Sequence, residues 1–151
     1  MLTFTVHGEP RGKGRPRFVS TPRGGRAFTD AQTVAYERMI AWVAKQAGAH
    51  VMDGPVRLAV TAYLMIPKSA SKKRQADMLS GRELPTKKPD CDNIFKAVSD
   101  GLNGIAFRDD TQVVELSMRK FWSDEPRLVV EVSPAMAINE QSGGNPRTKA
   151  A

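Results

Sequence analysis

KKPDCDNIFKAVSDGLNGIAFRDDTQV, residues 87–113, carries the densest run of informative positions in the chain. Ile94, Val98 and Leu102 recur every fourth residue, with Ala97 and Ile105 close by, which predicts a helix with one buried face. The helix is expected to begin at Asp90 or Asp92 and to stop at Asn103-Gly104, a C-terminal signal. At about 100° per residue, Asp92, Lys96 and Asn103 project from the opposite side. Asp90 precedes the helix, and Asp109-Asp110 follow a short loop. That loop can turn the chain back beside its own helix and bring Asp110 near Asp90 and Asp92.

Carboxylates gathered in this way repel one another unless a cation sits among them. Mg2+ is a hard ion that takes oxygen ligands and keeps several waters. It can activate water and screen charge that grows on a phosphate. Lys96, one turn after Asp92, is placed to reach a phosphate oxygen or a leaving group. The competing reading is structural: Asp90 and Asp92 cap a helix, and Asp92 pairs with Lys96 on its surface. Two other enzyme classes use D-x-D. Haloacid-dehalogenase-like phosphatases set it after an apolar strand and before Gly, whereas here Lys87-Lys88-Pro89 precede and Asn93 follows. Metal-dependent glycosyltransferases need a larger nucleotide-binding domain.

Outward from this segment, Leu2, Phe4 and Val6 alternate with polar residues and predict a strand. Residues 8–18, GEPRGKGRPRF, exclude a regular element through their Gly and Pro. Asp30 can cap a helix running to Gly48, with Val34, Ile40, Val43 and Ala47 as its apolar face. Val56, Leu58, Val60, Ala62 and Leu64 predict a second strand, and a short helix is expected between Ser71 and Leu79. Strands at about 112–122 and 128–132 follow, joined by Asp124-Glu125-Pro126 and close enough for a hairpin. The order predicts a single α/β (α+β) domain, a mixed sheet with helices packed on it, over residues 1–133. Residues 134–151 are expected to form a flexible C-terminal tail.

At 151 residues one domain is expected. Lys and Arg outnumber Asp and Glu by 23 to 16, a net charge of +7 that favours a polyanionic partner. Cys91, the single cysteine, excludes an internal disulfide and suits a reducing compartment. No run approaches a membrane span and no signal peptide is visible, so the expectation is a cytoplasmic protein, bacterial or phage-encoded, with no membrane partner.

Arg11, Lys13, Arg15 and Arg17 alternate along the Gly/Pro segment and could share one side, as phosphate-contacting residues do. Lys72, Lys73, Arg74, Lys87 and Lys88 form a second basic stretch leading into the acidic segment. Both are candidate DNA contacts, and both could instead be solvated loops. His7 and His50 match no metal-ligand spacing, and a thiol such as Cys91 is a poor magnesium ligand. Trp42 and Trp122 are assigned to the core or to an interface between subunits.

Asp90, Asp92, Asn93, Lys96, Ala97, Asp100 and Leu102 spell D-x-D-N-x-x-K-A-x-x-D-x-L, and Asp109, Asp110, Gln112 and Val113 continue as D-D-x-Q-V. In these linked motifs the chain resembles the RusA family of Holliday-junction resolvases of bacteria and their phages, across roughly residues 1–133. Gly12 to Phe18 resembles the form common in phage-type members. The resemblance implies a Mg2+-dependent endodeoxyribonuclease with Asp90, Asp92 and Asp110 as metal-binding catalytic carboxylates and Lys96 as an essential lysine. Asp109 is a further candidate ligand, because a one-residue slip would exchange it with Asp110. It also implies a homodimer that nicks a four-way junction symmetrically in DNA recombination and repair, with no small-molecule substrate. The rival functions are cleavage of other branched DNA such as flaps, and DNA binding without catalysis.

Overall fold

Alternation of apolar and polar side chains sets the strands, and a four-residue apolar spacing sets the helices. The computed structural model describes residues 1–14, 17–28 and 30–137. In chain order the elements are β1 (Leu2–His7), β2 (Arg17–Thr21), β3 (Gly24–Phe28), α1 (Ala31–Gln46), β4 (Val56–Met65), α2 (Lys72–Leu79), α3 (Cys91–Leu102), β5 (Val113–Ser123) and β6 (Arg127–Pro134). A single 3-10 turn, Asp110–Gln112, leads into β5.

The main sheet has four strands in the order β1-β6-β4-β5. β6 runs antiparallel to β1 and β4, whereas β4 and β5 are parallel. The sheet is therefore mixed, as expected, but β5 and β6 do not form a hairpin. β4 lies between them, because the crossover through α2 and α3 returns the chain parallel to β4. Residues 124–126 then step across the end of β4, a gap of roughly two strand spacings, about 10 Å, which three extended residues span.

One face of the sheet carries the core. Val56, Leu58, Val60, Ala62 and Leu64 of β4 are all buried, as are Leu128, Val130 and Val132 of β6. All but Leu64 pack with Ile40 and Ala44 of α1 and with Ile94, Val98 and Leu102 of α3, whereas Leu64 packs with Ile66, Ala70, Met78 and Trp122. Each of these larger aliphatic side chains contributes about 1.5–3 kcal/mol by leaving water. α1 and α3 pack closely where Gly101 sits: a Cβ there would lie 3.0 Å from the Glu37 carbonyl oxygen. The opposite face is more polar and holds Tyr63 stacked with Phe121, Arg127 over the Tyr63 ring at 3.9 Å, and an Arg57–Glu115 ion pair.

Asp30 caps α1 by accepting from the Gln32 amide, as its sequence predicts. The buried residues of α1 are Thr33, Tyr36, Ile40 and Ala44; of the expected face, Ile40 is buried and Val43 packs half-buried against the core, whereas Ala47 is exposed. The helix is rotated so that Tyr36 is buried, which pushes its hydroxyl pKa up to about 12 through desolvation. The β2–β3 ribbon is an element that the Gly/Pro content concealed. It pairs antiparallel from Arg17 with Phe28 to Thr21 with Gly24, outside the main sheet. β6 extends through Pro134, and the Ala135 amide donates to the Pro55 carbonyl at 2.9 Å, so the ordered body runs slightly past the expected boundary. The remainder of the expected tail, from residue 138, lies outside the described residues.

Candidate functional site

α3 has the predicted bounds and buried face, and its two ends differ in chemistry. At its start, Asp90 occupies the N-cap position yet makes no side-chain cap hydrogen bond. Asp92 is exposed in the first turn, and no ion pair joins it to Lys96, which is also exposed. The structural reading of D-x-D, a cap plus an i, i+4 salt bridge, is thus not realised here. Two oxygen-donor side chains are left without an internal partner among the described residues, which is the donor chemistry a hard divalent cation takes.

The backbone before Asp90 is held from β5. Lys120 Nζ donates to the Lys87 carbonyl at 2.7 Å and to the Pro89 carbonyl at 3.0 Å. Lys87 Nζ in turn lies 5.1 Å from the centre of the Trp122 ring. Lys120 was not singled out in the sequence, although a signal existed. By register, Leu116, Met118, Lys120 and Trp122 lie beside Leu58, Val60, Ala62 and Leu64 of the core face. A lysine in that inward series needs a polar partner, and the Lys87–Pro89 carbonyls provide it.

The first basic segment is tied down on the other side of α3. The Lys13 amide donates to the Asn93 carbonyl at 3.0 Å. Gly12 packs so closely that a Cβ would meet Asn93 Cβ at 2.9 Å and Pro89 Cβ at 3.1 Å. Lys13 Nζ pairs with Asp100 and lies 3.6 Å from Glu37. The hydrogen bond to Asp100 is the main cause of a Lys13 pKa raised above its ordinary 10.5. Lys13 is therefore committed within the fold, which gives Asp100 an anchoring role. Together Gly12, Lys13, Lys88, Pro89, Asp90 and Asn93 line an open concavity of about 590 Å³.

After α3 the arrangement is the reverse. Asp109 is engaged by its own turn: Thr111 Oγ1 donates to its carboxylate at 2.7 Å, and a capping box links it to Gln112. The hydrogen bond from Thr111 is the main cause of a lowered Asp109 carboxyl pKa. Gln112 Nε2 also donates to the carbonyls of Met52 at 2.9 Å and Gly54 at 2.8 Å, fixing the turn beside the start of β4. Arg108 pairs with Asp53 at 2.8 Å. Asp110 opens the 3-10 turn and is half-buried.

The loop does not return Asp110 to the start of its own helix. β5 runs back along α3, so that Lys120 reaches Pro89 while the turn that carries Asp110 is tied through Gln112 to Met52 and Gly54. The span from Asp90 to Asp110 is on the order of 20 Å, from 1.5 Å per helical residue and about 3.3 Å per strand residue. Accordingly, no group of three or more His, Cys, Asp or Glu among the described residues could hold a metal ion.

Of the other candidate contacts, Arg11 donates to Gln32 at 2.9 Å, and Arg74 is paired with Glu83 at 3.2 Å. Lys72, Lys73 and Lys88 are exposed, without a carboxylate partner among the described residues. Arg17 opens β2, and Arg15 lies outside the described residues. No helix among the described residues is long and apolar enough to cross a membrane.

The family model described as "Endodeoxyribonuclease RusA" matches residues 7–133. A Bacillus subtilis (strain 168) relative described as "Uncharacterized protein YqaN" is 39% identical over 141 residues, covering 90% of this chain and 98% of the relative.

Proposed function

This chain belongs to the RusA family of Holliday-junction endonucleases, and from that premise we propose a Mg2+-dependent homodimeric enzyme that resolves four-way DNA junctions by paired symmetric nicks during recombination and repair. The observation that carries the reading is the state of Asp90 and Asp92: carboxylates at a helix start with neither a cap bond nor an ion pair among the described residues. Residues 1–133 form its nuclease domain.

Asp90, Asp92 and Asp110 are the carboxylates that would hold the ion, with Asp110 preferred over Asp109 because Asp109 is already engaged by Thr111 and Gln112. Since Asp110 lies far from Asp90 within one chain, the set closes when Asp90 and Asp92 of one subunit meet Asp110 of the partner subunit. A two-fold dimer would then contain two such sites. Bound there, Mg2+ supplies Lewis-acid activation of water and screens charge on the phosphate. Lys96, exposed one turn after Asp92, donates to a phosphate oxygen as the P–O bond breaks. Lys120 positions the chain that presents Asp90. Lys72, Lys73, Lys87 and Lys88, with Arg11, attract the phosphate backbone without reading sequence.

The test is cleavage of a synthetic four-way junction, labelled on each strand in turn, beside flap and linear duplex, with Mg2+ present and with it chelated. Symmetric nicks resealable by ligase, and lost on chelation, are expected. Preferential cutting of the flap would assign the chemistry to other branched DNA. Binding without any nick would reduce the protein to a DNA-binding module.

A further inference from the structure

Three hollows share walls in series. The one beside Asp90 shares Gly12, Lys88 and Pro89 with a second of about 310 Å³, which shares Arg11 and Gln32 with a third of about 250 Å³. Lys88 and Arg11 thus line the way from the early acidic pair, whereas the third hollow is partly apolar. Ala35 and Met39, one turn apart on α1, form its wall together with Tyr36, and Met39 is 50% exposed. The Tyr36 hydroxyl is buried and has no hydrogen-bond partner among the described residues. Arg11 lies close enough to temper the rise in its pKa, yet no bond closes between them. Such a group weakens the free protein and gains a partner only from something that enters. Gln32 is half engaged: Arg11 Nη1 donates to its Oε1 at 2.9 Å, and its Nε2 has no partner among the described residues.

We propose that the third hollow receives one nucleobase of the strand being cut, next to the phosphate held at Asp90, and so biases where along that strand the nick falls. The proposal rests on the nuclease reading of the preceding section and adds a base-reading site to it. A neighbouring nucleotide is within reach. Gly12 abuts Pro89, and each residue advances the chain by about 3.8 Å, so Arg11 stands on the order of 10 Å from Asp90.

Ala35 and Met39 offer an apolar wall to the flat side of a base, as pockets for extruded bases do. Arg11 lines both the second and the third hollow, so drawing its guanidinium onto a phosphate uncovers the Tyr36 hydroxyl for the incoming base. Burial raises the pKa of that hydroxyl, which keeps its proton at neutral pH. The hydroxyl and Gln32 Nε2 are then two donors at one wall, a set that suits a base edge presenting adjacent acceptors. Adenine, whose acceptor N7 sits beside a donating N6 amino group, fits them least. Arg11 stays on the backbone, so charge draws in any strand, and the two neutral donors discriminate among bases.

The experiment maps every nick in a pool of four-way junctions whose bases around the crossover are randomised, for wild type, Tyr36→Phe, Gln32→Leu and Ala35→Trp. Wild type is expected to discriminate against adenine at one fixed position beside the nick by roughly tenfold, and each variant to reduce that ratio to about twofold or less. Ratios are taken within one pool, so a general change in rate does not enter them. Tyr36→Phe should melt at or above the wild-type temperature, because it removes an unbonded hydroxyl, which separates a lost contact from a damaged fold. A second readout is the fluorescence of 2-aminopurine set in turn at each position around the crossover, with protein bound in a chelator. Brightening at one position is expected with wild type, and its loss with Ala35→Trp, which fills the hollow. A flat wild-type profile, a preference for adenine, or discrimination unchanged in all three variants would overturn the base site and leave the nuclease reading. If wild type nicks nothing, the nuclease reading falls, and the base site is then decided by whether Ala35→Trp removes the brightening.

Discussion

The two ends of α3 present acidic residues in opposite states. At the start, Asp90 and Asp92 have no donor for their carboxylates among the described residues; after the end, Asp109 is bound by Thr111 and Gln112. Satisfaction by the fold, rather than acidity or position in a motif, separates a carboxylate that shapes a turn from one available to an outside cation. The difference also explains why Asp109 and Asp110, adjacent in sequence, are assigned separate tasks.

The largest effect should come from the unsatisfied end. Asp92→Asn is expected to lower junction nicking by roughly a thousandfold, about 4 kcal/mol of transition-state stabilisation, with an unchanged thermal midpoint. Retained nicking in Mg2+ would erase the contrast.

Lys120→Met comes next. Because it frees the carbonyls that fix the approach to Asp90, it should raise the Mg2+ concentration for half-maximal nicking by about 10–100-fold. Junction binding in a chelator should stay at the wild-type level, and Lys120→Arg should recover part of the loss. An unaltered Mg2+ midpoint would make Lys120 a stability residue only.

Asp109→Asn should act on the turn instead: a lower thermal midpoint with near-normal nicking. Because the folded pKa of Asp109 is lowered, its contribution is present above the ordinary carboxyl value of 3.8 and disappears as pH falls through the folded value. The melting difference between wild type and variant should therefore vanish in strong acid.

The smallest effect over the neutral range concerns Lys13, whose pKa is raised. Its pairing with Asp100 contributes fully below pH 10.5 and is lost as pH rises through the folded pKa. Wild type and Lys13→Met should show a constant difference in melting from pH 7 to 10, narrowing only above 10.5. A gap that changes near neutrality would dissociate the stability effect from this ion pair.

The strands of the main sheet, the bounds of α1 and α3 and the four-residue apolar stripe of α3 were legible in the sequence because burial follows a local period. The face of α1 was less so: Tyr36 and Thr33 are buried by contacts with distant elements, which a helical wheel does not contain. β2–β3 was hidden by Gly and Pro, whose turn chemistry masks short paired strands. At the site, residue types and motif spacing identified Asp90, Asp92, Asp110 and Lys96 as candidates, but whether the late pair returns to its own helix depended on strand order. β5 pairs with β4 rather than β6, which sends Asp110 to the far end. Lys13 read as a free cation because its partners, Asp100 and Glu37, are remote in the chain.

The place of β6 has a consequence for synthesis. The strand made last of the four lies inside the sheet, joined to both β1 and β4. While the ribosome is still translating residues before Arg127, β1 has no neighbour to join and β4 has one side bare. The sheet can therefore zip together only when nearly the whole nuclease body has emerged, so a nascent chain stalled before that point holds the acidic motifs on an incomplete sheet. A message truncated ahead of β6 would yield an inert polypeptide rather than an unregulated DNA-cutting fragment.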